Sequence, residues 1–220
     1  MVSVRKRKVV GVYLAAGSSR RMGTSKMSLE LVRGVPLGGV ALQQALGSEL
    51  SSVVVVVREG DSLDWLPAAA LAQIPLGGCH IAVCPDAASG MAHSLRTGIQ
   101  AAKELGAEGI MILLADQPFV DRAMLYSLTN AFNEHTGEDY IASGEQGQPK
   151  PPLIMGPSMW QATASLKGDV GARSLFRSPL YRGRILEGTE LLFMDIDTAD
   201  RYEEAKKLSK KLFANHFMSI

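Results

Sequence analysis

The chain has 220 residues, 46% of them hydrophobic and 20% charged, with a formal net charge of +1. A chain of this length and composition can bury a proper hydrophobic core, and its nearly neutral charge implies no broad basic face for nucleic acid. No apolar run reaches the roughly 18 residues of a membrane span, and the basic N-terminus lacks the apolar core of a signal peptide, so we expect a cytoplasmic protein that does not bind membranes.

The apolar runs are spread evenly along the sequence, which favours one domain over residues 1–220 with peripheral tails at 1–8 and 214–220. Runs rich in β-branched residues alternate with helical patterns, as in βαβ units. We therefore predict an α/β fold, a three-layer α/β/α sandwich with a mostly parallel sheet. The predicted strands are residues 8–14, 51–57, 79–83, 109–115, 140–143, 153–155 and 191–198. The predicted helices are a short one within 59–78 and those at 38–46, 90–105, 124–135, 158–166 and 200–213, with a loop at 144–152.

Residues 14–26, after the first strand, combine very small residues with cations. Residues 15–17 are Ala-Ala-Gly, so a bulky anion can approach the backbone N–H groups at the end of the strand. Arg21 and Lys26 add cationic donors that can reach phosphate oxygens. The stretch is neither a P-loop nor a dinucleotide loop, which needs glycine where Ser19 stands. We predict a triphosphate cradle here; the alternative is an ordinary loop with exposed basic residues.

A small-residue loop at 85–90 opens the predicted helix near Gly90. The first N–H groups of a helix lack partners within the helix, so this position predicts an anion or base-edge site. Residues 167–173 place glycines around Asp169 and then an arginine, Arg173. From the residues alone, this segment is equally consistent with anion contact and with a plain turn in which Asp169 caps a helix.

Asp116 follows the fully apolar strand 109–115, at the sheet edge where open α/β folds bind ligands. A carboxylate there can hold Mg²⁺, which needs only one or two protein oxygens besides phosphates. Asp116 could instead cap the next helix, but Asp121 already supplies a cap candidate. We therefore predict that Asp116 is a magnesium ligand.

Asp195 and Asp197 end the predicted last strand, and side chains two apart on a strand share a face. One of them could complete the metal site, and Asp197 or Thr198 could equally cap the final helix. The candidate metal ligands are thus Asp116 and Asp197, with the choice between Asp195 and Asp197 left open.

The stretch from Leu14 to Lys26 reads L-A-A-G-x-S-x-R-M-G-x-x-K and resembles the signature of the molybdopterin nucleotidyltransferases. It is most similar to the molybdenum cofactor cytidylyltransferases and the purine-catabolism proteins related to them. Further family motifs follow in order: G-M-x-x-S-L-R-x-G at 90–98, D-Q-P at 116–118, G-D-x-G-A-R at 168–173 and D-I-D-T at 195–198. The resemblance implies a fold like that of the nucleotide-diphospho-sugar transferases.

The activity that the resemblance implies is Mg²⁺-dependent transfer of CMP from CTP to the phosphate of a molybdopterin-type cofactor, with release of pyrophosphate. The product would mature a molybdenum hydroxylase such as xanthine dehydrogenase, which is a possible protein partner. Two alternatives remain: a nucleotidyltransferase acting on a sugar or alcohol phosphate, and a carrier that binds nucleotide or molybdopterin without turnover.

Residue roles follow from the motifs and from the resemblance together. The catalytic candidates are Arg21, Lys26 and Asp116. The nucleotide-binding candidates are Leu14, Ala15, Ala16, Gly17, Ser19, Arg21, Lys26, Gly90, Met91 and Ser94, with Arg96 beside them. The candidates for the second substrate, which rest on the resemblance, are Gln117, Pro149, Asp169 and Arg173. Lys150 follows the G-x-P motif where the family continues with apolar residues, and could meet the pterin phosphate or be a plain loop lysine.

Overall fold

The computed structural model describes residues 5–17, 26–166, 168, 173–176 and 178–217. Seven strands form one sheet, and two short strands form a separate hairpin. The strands are β1 Val9–Leu14, β2 Glu30–Val32, β3 Val35–Pro36, β4 Ser52–Arg58, β5 Cys79–Cys84, β6 Gly109–Leu114, β7 Tyr140–Glu145, β8 Gln148–Met155 and β9 Gly183–Glu187. The helices are α1 Leu37–Leu46, α2 Ala68–Gln73, α3 Met91–Glu104, α4 Arg122–Glu134, α5 Pro157–Trp160, α6 Arg173–Phe176 and α7 Ala199–Phe217.

The seven-stranded sheet has the order β5-β4-β1-β6-β8-β7-β9. The first four of these strands are parallel, β8 runs antiparallel to both of its neighbours, and β9 is parallel to β7. Leu14 lies opposite Val56 on one side and Leu114 on the other. The carboxyl ends of β1, β4 and β6 therefore meet at one edge, so the residues after Leu14 and Asp116 are neighbours, as the sequence predicts.

Hydrophobic side chains cover both faces of the sheet, which confirms the three-layer arrangement. Val53, Val55 and Val57 of β4 point into the cluster that includes residues of α1 and α4. Val54 and Val56 point into the opposite cluster, with residues of α3. This burial on both faces is why β4 carries five consecutive valines. Among the helices of the described residues, none combines the length and the hydropathy that a membrane-spanning segment needs.

The prediction of a loop at 144–152 is wrong, because most of these residues belong to the hairpin that β7 and β8 form. The two-residue turn, Gln146 and Gly147, has φ angles of 51° and 72°, the left-handed conformation that tight hairpins favour. Prolines in β8 cannot donate ladder hydrogen bonds. The buried Ser143 hydroxyl instead donates to the carbonyl oxygens of Lys150 and Pro152, at 3.0 and 2.8 Å.

The prediction of a last strand at 191–198 is also wrong. A short 3-10 helix spans Glu190–Phe193, and the last strand of the sheet is the earlier β9. Residues 194–197 run without pairing to a strand, because their polar groups bond to the end of β6 and to Lys26 instead. The Ile196 side chain is fully buried, which produces the alternating pattern that resembles a strand.

The first described residues, predicted as part of a peripheral tail, are bonded along the opposite edge of the sheet. The Arg7 amide donates to Asn133 Oδ1 at 2.8 Å, and the Arg7 guanidinium lies 3.4 Å from the centre of the Phe132 ring. The Lys8 amide donates to Glu108 at 2.9 Å. This segment therefore ties the start of β1 to α4 and to the residue before β6.

Gly98 on α3 lets the helix pack closely on the sheet. A Cβ at this position would lie 2.3 Å from Cγ1 of Val12 and 2.9 Å from Cγ2 of Val56. We predict that Gly98→Ala lowers the free energy of unfolding by about 1–3 kcal/mol, because the overlap with β1 and β4 outweighs the better helix propensity of alanine. The measurement is urea unfolding followed by circular dichroism. Gly137→Ala, in a turn with open space around it, should change stability by less than about 0.5 kcal/mol; equal stability of the two variants would contradict the packing argument.

Candidate active site

A buried lysine joins two carboxylates at the carboxyl edge of the sheet. Lys26 begins a short 3-10 helix, Lys26–Ser28, and is 7% exposed. Its Nζ donates to Asp116 Oδ2 at 2.8 Å, to Asp197 Oδ1 at 2.9 Å and to the Ile196 carbonyl at 3.0 Å. The structure thus brings together three residues that the sequence predicts for one site: the lysine and both candidate metal ligands.

The surroundings of Lys26 keep it charged. Burial by itself lowers the pKa of the Lys26 ammonium, but the charge and hydrogen bond of Asp116, followed by those of Asp197, outweigh burial and raise the pKa overall. One positive charge faces two carboxylates, so this cluster carries a net negative charge of one. A further cation can therefore be accommodated beside it.

The segment 195–197 is held against the end of β6 by further hydrogen bonds. The Ile196 amide donates to the Asp116 carbonyl at 3.0 Å, and Gln117 Nε2 donates to Asp195 Oδ1 at 2.9 Å. Asp195 and Asp197 thus have different partners, and Asp197 is the one that shares Lys26 with Asp116.

The helix cap that was an alternative role for Asp197 is made by its neighbour. The Thr198 hydroxyl accepts a hydrogen bond from the Arg201 amide at 3.2 Å, at the start of α7. Asp121 likewise caps α4, accepting from the Met124 amide at 2.8 Å. Both carboxylates predicted for the metal are therefore left for another role.

The turn after β1 is only partly open for phosphate. The Ala15 amide donates to the Val56 carbonyl at 2.9 Å, which continues the pairing with β4 and removes that amide from the predicted cradle. Gly17 is exposed, and a Cβ placed on it would meet nothing within 4 Å. Ser19 and Arg21 lie outside the described residues. Among the described residues of the cradle, Gly17 is thus open, whereas Ala16 is buried.

The start of α3 is covered by a second segment. Gly90 has a φ of 119°, which favours glycine, and a Cβ there would lie 2.4 Å from the carbonyl carbon of Gly168. The Ala92 amide donates to the Gly168 carbonyl at 3.1 Å, so this N–H is not available to an anion. Ser94 is 5% exposed, whereas Met91 is 41% exposed.

The residues predicted for the second substrate are spread over several elements. Gln117 is 3% exposed, and its Oε1 has no hydrogen-bond donor within the part of the chain that the structure describes. Pro149 lies on β8 opposite Gly144. Arg173 begins α6, and Asp169 falls outside the described residues.

Lys150, beside Pro149, is half-buried rather than a free loop lysine. Its Nζ is bonded to Glu145 and lies 5.0 Å from the centre of the Phe193 ring. The G-x-P region of the sequence is therefore part of the sheet, and Lys150 belongs to an ion pair on it.

Sequence reasoning missed two contributors to the site. These are the carbonyl of Ile196, a ligand of Lys26, and the link from Gln117 to Asp195. The contribution of Ile196 could have been found from the D-I-D pattern, in which one buried apolar residue separates two carboxylates. No pattern in the sequence indicates the hydrogen bond from Gln117 to Asp195.

The donor set fits a divalent cation that is shared with phosphates. Asp116 and Asp197 have oxygens within 3 Å of the same ammonium nitrogen, so one cation can contact both. Among the described residues, no group of three or more His, Cys, Asp or Glu side chains surrounds a common point. Two carboxylates completed by phosphate oxygens and water is the arrangement that Mg²⁺ takes in nucleotide sites.

Residues 11–184 match the family model of the MobA-like NTP transferase domain. The chain belongs to this family. It is therefore a MobA-like nucleotidyltransferase, with a transferase domain over most of its length, and its mostly parallel seven-stranded sheet is the fold of the nucleotide-diphospho-sugar transferases.

Relatives of this MobA-like chain are similar over nearly its whole length. Purine catabolism protein PucB of Bacillus subtilis (strain 168) is 38% identical over 202 residues, which cover 90% of this chain and 96% of that protein. The crystal structure of a homologue of Mycobacterium tuberculosis Rv0371c, from Mycobacterium sp. strain JC1, superposes with a TM-score of 0.76 at 25% identity, over 93% of this chain and 98% of that one. Rv0371c of Mycobacterium tuberculosis H37Rv, in complex with manganese, has a TM-score of 0.71 at 25% identity, over 91% of this chain and 98% of that one.

Proposed function

We propose that this nucleotidyltransferase joins CMP from CTP to the terminal phosphate of a molybdopterin-type cofactor and releases pyrophosphate. The observation that carries the proposal is the cluster of Lys26, Asp116 and Asp197 at the carboxyl edge of β1 and β6, beside the open turn at Gly17. It combines a cation for phosphate with two carboxylates for a divalent ion. The similarity to PucB supports a role in purine catabolism, in which the product serves a molybdenum hydroxylase such as xanthine dehydrogenase.

The reaction is a displacement at the α-phosphorus. An oxygen of the acceptor phosphate forms a bond to that phosphorus, the bond from it to the bridging oxygen of the β-phosphate breaks, and the electron pair leaves with pyrophosphate. The protein has to align the two phosphates and neutralise the charge that grows on the leaving group. The acceptor phosphate is already ionised near neutral pH, so no general base is required.

Lys26 has two tasks in this proposal. In the structure its ammonium is held by Asp116, Asp197 and the Ile196 carbonyl, with the side chain only 9% exposed. With nucleotide bound, the ammonium turns towards the β- and γ-phosphates, where Arg21 assists it. The amides of residues 16–17 contact the same phosphates.

Asp116 and Asp197 would hold Mg²⁺ once the lysine has turned. When bound, the ion would screen the negative charges of the triphosphate and of the pyrophosphate that leaves. The complex of the similar protein Rv0371c with manganese supports the use of a divalent metal. Asp195 is the less suitable ligand, because Gln117 already donates to its Oδ1.

The second substrate is assigned to the region of Gln117, Pro149, Asp169 and Arg173. Gln117 is adjacent to Asp116, and Pro149 lies on the hairpin that follows β7. A pterin needs a wide pocket beside the α-phosphate, and Gln117 follows β6 at the carboxyl edge of the sheet.

The substrate assignment is tested by supplying the purified protein with CTP, GTP or ATP, with and without molybdenum-bound molybdopterin, in Mg²⁺ or in EDTA. We expect pyrophosphate release only with the pterin and Mg²⁺ present, and fastest with CTP. Release with a sugar or alcohol phosphate in place of the pterin would favour the alternative transferase. Tight binding of nucleotide or pterin with no pyrophosphate under any condition would favour a carrier.

Lys26→Ala and Asp116→Ala should each lower kcat by roughly 10²–10³-fold, because each removes charge that stabilises the transition state. The matched control is Lys6→Ala, which removes another lysine that is paired with a carboxylate, Glu49, but lies at the opposite edge of the sheet. All three variants should retain the circular dichroism spectrum of the parent protein. Pyrophosphate release at the parent rate from folded Lys26→Ala or Asp116→Ala would refute these roles.

Asp197→Asn and Asp195→Asn separate the two candidate metal ligands. Because Asp197 shares a cation with Asp116, we expect Asp197→Asn to raise the half-saturating Mg²⁺ concentration by about tenfold or more, the equivalent of about 1.4 kcal/mol. Asp195→Asn should raise it less than about threefold, since asparagine Oδ1 can still accept from Gln117. A larger effect of Asp195→Asn in the same magnesium titration would reverse the assignment.

A further inference from the structure

Arg96, on α3, contacts the segment that follows α5. Its Nη1 donates to the Leu166 carbonyl at 2.7 Å, in a partly buried position on α3. A charged donor at this distance makes a strong hydrogen bond to a neutral acceptor. The arginine therefore fixes the backbone at residue 166 relative to α3.

A second contact two residues later holds the same segment. The Gly168 carbonyl accepts from the Ala92 amide, at 3.1 Å, and the Gly168 backbone lies where any side chain on Gly90 would stand. Ala92 is in the first turn of α3, where amides lack partners within the helix. Its partner is thus supplied by the segment that Arg96 anchors.

The chain beyond this segment is held from the other side. α6 begins five residues after Gly168, and its Leu175 and Phe176 are buried in the same hydrophobic cluster as Leu166. The Phe176 ring packs edge-on against Tyr140 of β7, with ring centres 4.8 Å apart. Arg96 is accordingly a polar side chain that joins α3 to the backbone at Leu166.

We infer that Arg96 is a positioning residue for the second substrate. It holds the Leu166 carbonyl on α3, next to the Gly168 contact and a few residues before Arg173, which the proposed function assigns to the second substrate; the inference rests on that proposed function. This task differs from the contact with nucleotide for which the motif at 90–98 makes Arg96 a candidate. Loss of Arg96 should therefore weaken binding of the acceptor and leave binding of the nucleotide nearly unchanged.

The test uses the full-length protein with Arg96→Met, the conservative Arg96→Lys, and Arg201→Met as a control. Arg201 is also a helical arginine with a hydrogen bond, but it is exposed and pairs with Glu204 on α7. Steady-state kinetics with CTP and the pterin should show, for Arg96→Met, a rise of about tenfold in KM for the acceptor and less than about twofold in KM for CTP. Arg96→Lys should recover part of this loss, since lysine keeps one charged donor.

Hydrogen exchange provides a readout that needs no activity. In Arg96→Met, the Ala92 amide should exchange about tenfold faster, because its acceptor on Gly168 is released, while the Ile99 amide in the middle of α3 stays protected. Unchanged protection of Ala92 would overturn the inference, and so would an equal rise of both KM values. If no nucleotide and acceptor give pyrophosphate, the proposed function fails and the positioning of a second substrate fails with it, whatever the exchange data show about the contact itself.

Discussion

The site depends on one ammonium group. Lys26 bonds to residues that follow it by 90, 170 and 171 positions, so it joins the start of the chain to the end of β6 and to the segment before α7. A lysine side chain that is 9% exposed is stable as a cation only where carboxylates offset its desolvation. The same demand explains why two carboxylates converge on Lys26. It also means that the positive charge lies inside the site and not on its surface.

Much of this arrangement could be predicted from the sequence because it depends on local patterns. Five valines in β4 and the apolar run before Asp116 indicate strands that are covered on both faces, and parallel strands bring their carboxyl ends together. The hairpin of β7 and β8 could not be predicted in the same way. Its prolines are typical of a loop, and the contact that accommodates them comes from the side chain of Ser143.

The remaining errors at the site arise where backbone groups are bonded by distant segments. Because Ala15 is small, the sequence predicts that its amide is accessible to phosphate. In the structure, the carbonyl of Val56 on β4 accepts a hydrogen bond from that amide. The alternating D-I-D pattern predicts a strand, whereas Ile196 is buried in the core and its amide bonds to a single residue, Asp116. Sequence spacing could not show which of Asp195 and Asp197 lies beside Asp116. The two differ in their hydrogen-bond partners, which are Gln117 for Asp195 and Lys26 for Asp197.

Gln117 shows why an amide suits the position beside Asp116. Its Nε2 donates to Asp195 Oδ1 at 2.9 Å. A glutamate there would add a further negative charge next to Asp116 and Asp195, and a methionine would leave Asp195 without this donor. Glutamine is of the right size, carries a donor and adds no charge. Its donor therefore helps to hold the segment that places Asp197 beside Asp116.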